Sequence, residues 1–290
     1  MRGKNSALTA FPIIQGDGDM DISFFDNLWQ SGRAGRKNSG EFWDRRADEF
    51  NSHSADSLND RRGRVIELLE SRGMVNDNSS VLDIGCGPGK FAIALSEIAK
   101  DVTGIDVSQR MIDFAIENAH RENVKNASFS KFSWEETDLK ETGWSKKFDL
   151  VFASMCPGIN SSETLLKMCE ASRGSCYMSS FVKRKDPLRE KLDEAVYGKP
   201  EDDKWGRGIY SAFNILWLSG YRPEIVYHES RWEKTLPVER AAEIYPHQMD
   251  IAEDDIEKIE KIKRVLEQNS VNGELTSMTE STVALMCWRV

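Results

Sequence analysis

The stretch VLDIGCGPGKFAIALS, residues 81–96, decides the fold. A short apolar run ends in glycines spaced G-x-G-x-G, at Gly85, Gly87 and Gly89, after which Phe91, Leu95 and Ile98 recur at helical spacing. A strand that turns through glycines into a helix allows backbone to approach closely whatever binds there. The dinucleotide fingerprint G-x-G-x-x-G needs a glycine where this chain has Lys90, and Pro88 stands inside the turn. The spacing therefore disfavours a nicotinamide or flavin dinucleotide.

The pattern continues outward as alternating strand and helix. DVTGID is a second strand, SQRMIDFAIENAH a helix, NASFSKF a third strand and FDLVFAS a fourth; SETLLKMCEAS is a helix and GSCYMSSFV a fifth strand. In the last third, YSAFNILWLSG and DDIEKIEKIKRVLEQ read as helices, EIVYHES and STVALMCWRV as strands. Regular alternation predicts a parallel sheet covered by helices on both faces. Two late strands without a glycine turn predict an antiparallel finish. The expected class is α/β: a doubly wound, Rossmann-like, mostly parallel seven-stranded sheet with an antiparallel last strand.

Upstream, residues 1–20 read as a flexible tail, polar and Gly-rich around QGDGD. DISFFDNLWQSG and GEFWDRRADEFN combine aromatics and charges at helical spacing across the loop SGRAGRKNSG, and SLNDRRGRVIELLESRGM is a further helix. Residues 21–75 are therefore expected to form an N-terminal helical lid, and 76–290 the main domain. The charged run FVKRKDPLREK reads as a solvated helix start.

Composition excludes several classes of function. A formal net charge of -9 opposes a phosphate backbone, so no nucleic-acid partner is expected. No apolar run approaches the roughly 18 residues of a spanning helix, so no membrane partner is expected. The five cysteines form no C-x-x-C pair and are odd in number, which argues against a zinc knuckle or a secreted disulfide framework. No metal is expected, and the compartment expected is a reducing cytoplasm.

Two carboxylates sharpen the reading of the turn. Asp83 lies inside an apolar strand, where an unpartnered ion would be costly, so it is expected to orient loop amides or face a cationic ligand. Asp106 ends the second strand, where an acidic side chain can receive both hydroxyls of a ribose.

Together these residues resemble class I S-adenosylmethionine-dependent methyltransferases, and within them small-molecule enzymes similar to the quinone-biosynthesis group. VLDIGCGPGKFAIAL looks like that family's first motif, VTGIDVSQRM like its ribose-binding second motif, and KKFDLVFASM like the strand entering its substrate site. The resemblance implies S-adenosylmethionine as cofactor, with Gly85, Gly87 and Gly89 against its methionine and ribose parts and Asp106 on the ribose. Asp83, Cys86, Val107, Met111, Ser133, Trp134 and Ser154 complete the expected cofactor site. The chain departs from the family at Ser133, where an acidic residue usually lies beside the adenine amino group; Ser133 can accept one hydrogen bond and Trp134 can pack on the ring.

The acceptor expected is a small molecule, with Trp43, Cys156 and Asn160 as candidate contacts. Arg33 and Arg36 are candidates to clamp an anionic substrate. Among the histidines, His53, His228 and His247 are worth testing as a base, His120 has a structural explanation at a helix end, and none is assigned as catalytic. Methylation of protein or RNA, and a sensor that binds the cofactor without consuming it, are the alternatives.

Overall fold

The computed structural model describes residues 20–31, 39–52, 56–198, 206–249 and 251–290. The expected tail lies outside them except for Met20. Three helices come first: α1 (Ile22–Ser31), α2 (Gly40–Ser52) and α3 (Asp56–Ser71). The alternation follows as β1 (Ser80–Ile84), α4 (Lys90–Ser96), β2 (Asp101–Asp106), α5 (Gln109–Arg121) and β3 (Ala127–Lys131), then β4 (Phe148–Ser154), α6 (Ser162–Ala171) and β5 (Ser172–Lys185). The remaining elements are α7 (Pro187–Tyr197), α8 (Arg207–Leu218), β6 (Glu224–Pro237), α9 (Val238–Gln248), α10 (Ile256–Asn269) and β7 (Glu274–Arg289).

The strands form one seven-stranded sheet in the order β3-β2-β1-β4-β5-β7-β6. Neighbours from β3 to β5 pair in parallel, and β7 runs antiparallel to both β5 and β6. β7 alone is reversed among these strands, inserted between β5 and β6. The antiparallel finish read from the sequence is present.

Both faces of the sheet are covered, which is why its central strands read as nearly continuous apolar runs. Leu82, Ile84, Val151 and Met178 face one layer with Leu165 of α6 and Ile215 of α8. Val81, Phe152 and Tyr177 face the other, with Val65 and Leu69 of α3 and Leu95 of α4. Local sequence starts the helices: Ser108 accepts from the Met111 amide to cap α5, Ser161 and Thr164 form a capping box on α6, and Asp186 caps α7 with Pro187 behind it.

The three N-terminal helices differ in how they are held. α1 buries Phe25 and Trp29 in the first layer, and α3 buries Val65, Leu68 and Leu69 in the second. α2 contributes Ala47 as its one buried residue. At the other end of the molecule β5, β6 and β7 extend to 14, 14 and 16 residues and carry a third core, in which Leu188 and Leu192 of α7, Tyr245 of α9 and Ile262 and Leu266 of α10 pack on Leu236 and Leu275. Helix α9 is not legible in the sequence, because Pro246 reads as a breaker; it sits in the last turn, where it interrupts little. No helix among the described residues is long and apolar enough to cross a membrane.

Candidate functional site

At the carboxyl end of β1 the chain folds over the end of β2. The amides of Gly85 and Cys86 both donate to the Ile105 carbonyl, at 2.8 and 3.0 Å. The Gly87 amide donates to Asp106 Oδ2 at 2.9 Å, and the Ser108 amide to Asp106 Oδ1 at 2.9 Å. Gly85 and Gly87 have φ of 67° and 54°, in the left-handed region that favours glycine. Their surroundings differ. A Cβ on Gly85 would lie 2.5 Å from Cys156 Sγ, whereas one on Gly87 would meet nothing nearer than Met111 Sδ at 4.0 Å. Gly85 lets the segment after β4 pack against the turn, and Gly87 leaves the space beside its backbone open. Gly89 packs too, since a Cβ there would lie 3.0 Å from that of Ala115.

Two carboxyl groups face this turn from inside. Asp83 is 2 % exposed, and its Oδ2 has no hydrogen-bond partner. Burial first, and the nearby Asp106 second, push its pKa up to about 8. Burial also raises Asp106, although the Ser108, Gly87 and Val107 amides oppose the shift. The same burial raises the Cys86 thiol well above its ordinary value and Cys156 to about 12. Both thiols are neutral near pH 7, so neither is poised as a thiolate nucleophile. At the ends of β4 and β5, the hydroxyls of Ser154 and Ser179 lie 3.1 Å apart.

Met111 is buried beside Gly87, and Val107 carries its carbonyl against Gly40 of α2. Ser133 is half-buried, its hydroxyl accepting from the Glu136 amide at 3.4 Å. Trp134 is 4 % exposed and donates from Nε1 to the Thr164 carbonyl at 3.0 Å, which ties the segment after β3 to α6. Asn160 bonds Glu135 through its side chain and accepts from Gln30 Nε2 of α1 at 2.9 Å. Trp43 is half-buried in a cluster with Phe42 and Phe50, and the Arg46 guanidinium lies 5.0–5.7 Å from the three ring centroids. Arg33, Arg36 and His53 lie outside the described residues. His120 is in the last turn of α5, His247 in that of α9, and His228 pairs with Val283 on the sheet edge. Among the described residues, no group of three or more His, Cys, Asp or Glu side chains is placed to hold a metal.

Sequence reasoning missed what docks α2 over this region. Asp44 Oδ1 accepts from Ser108 Oγ at 2.5 Å and from the Arg110 amide at 3.1 Å, and Asp48 pairs with Arg110. Burial opposes ionisation of Asp44, but the Ser108 hydroxyl, the Arg110 amide and the charges of Lys131 and Arg110 hold its pKa below the ordinary value. Asn118 Nδ2 donates to Asn51 Oδ1 at 2.9 Å and to the Pro88 carbonyl at 2.8 Å, joining α2, the glycine turn and α5. Gln248 of α9 donates to Glu49 at 2.6 Å on the opposite side. The i, i+4 spacing of Asp44 and Asp48 is a polar stripe legible in the sequence; its partner on another helix is not.

The glycine turn, the carboxylate at the end of β2 and the strand order define a Rossmann-like methyltransferase fold, and comparison with known proteins agrees. The chain belongs to the methyltransferase-domain family, whose model matches residues 75–243. The cofactor of the class I enzymes it joins is S-adenosylmethionine. A tRNA/tmRNA (uracil-C(5))-methyltransferase of Campylobacter lari is 35% identical over 72 residues, covering 25% of this chain and 20% of that protein. The chain thus spans about a fifth of the length of the first curated relatives it matches. An uncharacterised protein of Haemophilus influenzae is 24% identical over 232 residues, 77% of this chain and 81% of its own. A solved structure from Bacillus halodurans, itself only proposed to be a methyltransferase, shares the fold at a TM-score of 0.51 and 13% identity, over 78% of this chain and 97% of that one.

Proposed function

We propose that the chain transfers a methyl group from S-adenosylmethionine to a small-molecule acceptor. One observation carries the reading: Gly87, Asp106 and Asp83 converge at the carboxyl ends of β1 and β2, beside the point where the strand order reverses toward β4. Asp106 accepts the Gly87 amide on Oδ2 and the Ser108 amide on Oδ1, with the Val107 amide close by, and a carboxylate has about four acceptor sites, so acceptor capacity remains for the ribose. The unpartnered Asp83 oxygen suits the cationic end of the donor, because an adjacent positive charge favours ionisation of a buried carboxyl.

In this reading Gly85 and Gly89 shape the turn, Gly87 meets the donor, and Cys86 fills space behind it. Val107 and Met111 wall the ribose, Ser133 faces the adenine, Trp134 braces that segment from the core side, and Ser154 lies toward the methyl. Trp43, Cys156 and Asn160 border the acceptor, and α2 acts as a lid over both. When bound, the cofactor supplies a sulfonium-activated methyl; the acceptor's lone pair forms the new bond as the S–CH₃ bond breaks, leaving S-adenosylhomocysteine and releasing any acceptor proton to solvent. The protein's share is alignment, worth roughly 7–11 kcal/mol of effective concentration.

The relatives that act on RNA match only a quarter or so of this chain, and its charge of -9 disfavours an RNA acceptor. Thermal unfolding tests the donor: S-adenosylmethionine and S-adenosylhomocysteine should raise the melting temperature and NAD should not, with about 2.7 kcal/mol added at a hundredfold the dissociation constant. A shift with NAD alone sinks the reading. Formation of S-adenosylhomocysteine with a metabolite extract, and none with RNA, is the expected turnover; binding without turnover in any extract would make the chain a sensor.

A further inference from the structure

A guanidinium N–H buried without an acceptor is costly, and among the described residues half-buried Arg61 keeps one at its Nε. Arg61 belongs to α3, whose far end is tied to the amino edge of the sheet where Arg289 donates to the Arg72 carbonyl. Eleven residues of helix rise about 16 Å from there, which places Arg61 toward the carboxyl edge. Its Nε is buried with no hydrogen bond, and no ion pair is formed by it among the described residues. Burial lowers its pKa, and the group near enough to act on it electrically is Tyr177.

Tyr177 is 0 % exposed and stacks on Phe152 with ring centroids 4.6 Å apart. Its hydroxyl, beside Ser179, makes no hydrogen bond either. Arg61 Nε and the Tyr177 hydroxyl are thus two buried donors within electrostatic reach of each other, with the Ser179 side chain beside the second. Further along β5 the Arg184 guanidinium lies 5.5 Å from the Phe181 ring centroid, within electrostatic reach of Arg46, whose Nε is also buried without a hydrogen bond. Both of these cations have a carboxylate beside them, Glu49 at 3.5 Å from Arg46 and Asp186 at 3.9 Å from Arg184, which sets them apart from Arg61. Tyr177 lies on β5, across β4 from β1 and its glycine turn, on the opposite side of β1 from β2 and Asp106.

We propose that Arg61, backed by the Tyr177 hydroxyl, anchors an anionic group, a carboxylate or phosphate, on the methyl acceptor. This rests on the methyltransferase reading of the site. The anion would supply the acceptor oxygens that both donors lack, and an unpaired buried charge retained at a cost to stability is a mark of a binding role.

The test uses the full chain saturated with S-adenosylhomocysteine and measures calorimetric binding of benzoate, inorganic phosphate and uncharged benzamide. The anions should bind and benzamide should not. Arg61→Met should weaken the anions at least about tenfold, the loss expected for a hydrogen bond to a charged group, with S-adenosylhomocysteine affinity unchanged. Removing the unpaired charge should also raise the melting temperature of the free chain. Tyr177→Phe, which keeps the stack on Phe152, is the second variant and should weaken the anions without changing donor affinity.

Failure of both anions to bind the wild type, equal binding of benzoate and benzamide, or anion binding that survives Arg61→Met would overturn the proposal. So would lost S-adenosylhomocysteine affinity in Arg61→Met with 5′-methylthioadenosine still bound, because Arg61 would then hold the donor's own carboxylate. Failure of S-adenosylhomocysteine to bind the wild type is a separate result, which refutes the methyltransferase reading itself.

Discussion

The two halves of the crevice are built on different terms. On the β1–β2 side, the amides of Gly85, Cys86 and Gly87 are satisfied by Ile105 and Asp106, and the contact between Gly87 and Asp106 spans nineteen positions of chain. On the β4–β5 side, Arg61 and Tyr177 come from remote elements and leave donors unpaired. A turn that satisfies its own backbone is set before any ligand arrives. A pair of buried donors without acceptors is held in place only by the surrounding core, and in the proposed reading a ligand's oxygens would complete it.

The sharpest way to break this comparison is within the turn. Gly85→Ala should cost about 3 kcal/mol, since the new Cβ meets Cys156 Sγ and the residue sits at positive φ. Gly87→Ala should cost about 1 kcal/mol, because it carries only the backbone strain. Donor affinity should reverse in order of interest: the folded Gly87 variant should lose at least about tenfold as its methyl enters the open face. Urea unfolding and calorimetric titration read the two quantities, and equal stability losses would show that Gly85 is not the packing glycine.

Asp83→Asn tests the buried carboxylate oxygen that has no partner among the described residues beside the glycine turn. A carboxyl whose folded pKa, about 8, exceeds its unfolded value of 3.8 binds more protons when folded, so its contribution is fully present below about pH 4 and is lost as pH rises toward 8. The wild type should therefore lose stability across that window, with a limiting slope of about 1.4 kcal/mol per pH unit. Asp83→Asn should flatten the slope, stand above the wild type at pH 8, and bind donor more weakly. A wild-type profile flat from pH 4 to 8 would place Asp83 in an ionised, paired state instead.

Asp106→Asn keeps one acceptor for the amides of Gly87 and Ser108 but removes the charge. Donor affinity should fall about tenfold, or about 1.4 kcal/mol, with the fold retained. Unchanged affinity would remove Asp106 from the ribose. The smallest effect expected is at α2. Asp44→Ala removes the acceptor at the start of α5, a capping contact worth about 1 kcal/mol. Amide exchange over 40–52 should quicken in the variant and slow again with S-adenosylhomocysteine, whereas exchange in α3, held by Val65 and Leu69, should not change. Exchange in α2 as slow as in α3, with and without ligand, would make α2 a permanent part of the core rather than a lid.

Sequence by itself determined the glycine turn, the acidic end of the second strand and the order of the seven strands. Its signals are local: apolar runs with two-residue or helical period, glycines at fixed spacing, and Asp106 at the end of the next strand, all of which act over one turn or one βα unit. It also placed α1, α2 and α3 as helices, without distinguishing them, because periodicity records that a face is apolar and not what covers it. Tertiary structure decided the rest. Only the shared core of α3 and the sheet brings Arg61 within electrostatic reach of Tyr177, only the seat of α5 gives Asp44 its partners, and only the long β5–β7–β6 arm gathers α7, α9 and α10 into a third core. The reason is physical: hydrogen bonding within a turn depends on neighbouring residues, whereas the pairing or isolation of a buried charge depends on which distant surfaces exclude water around it.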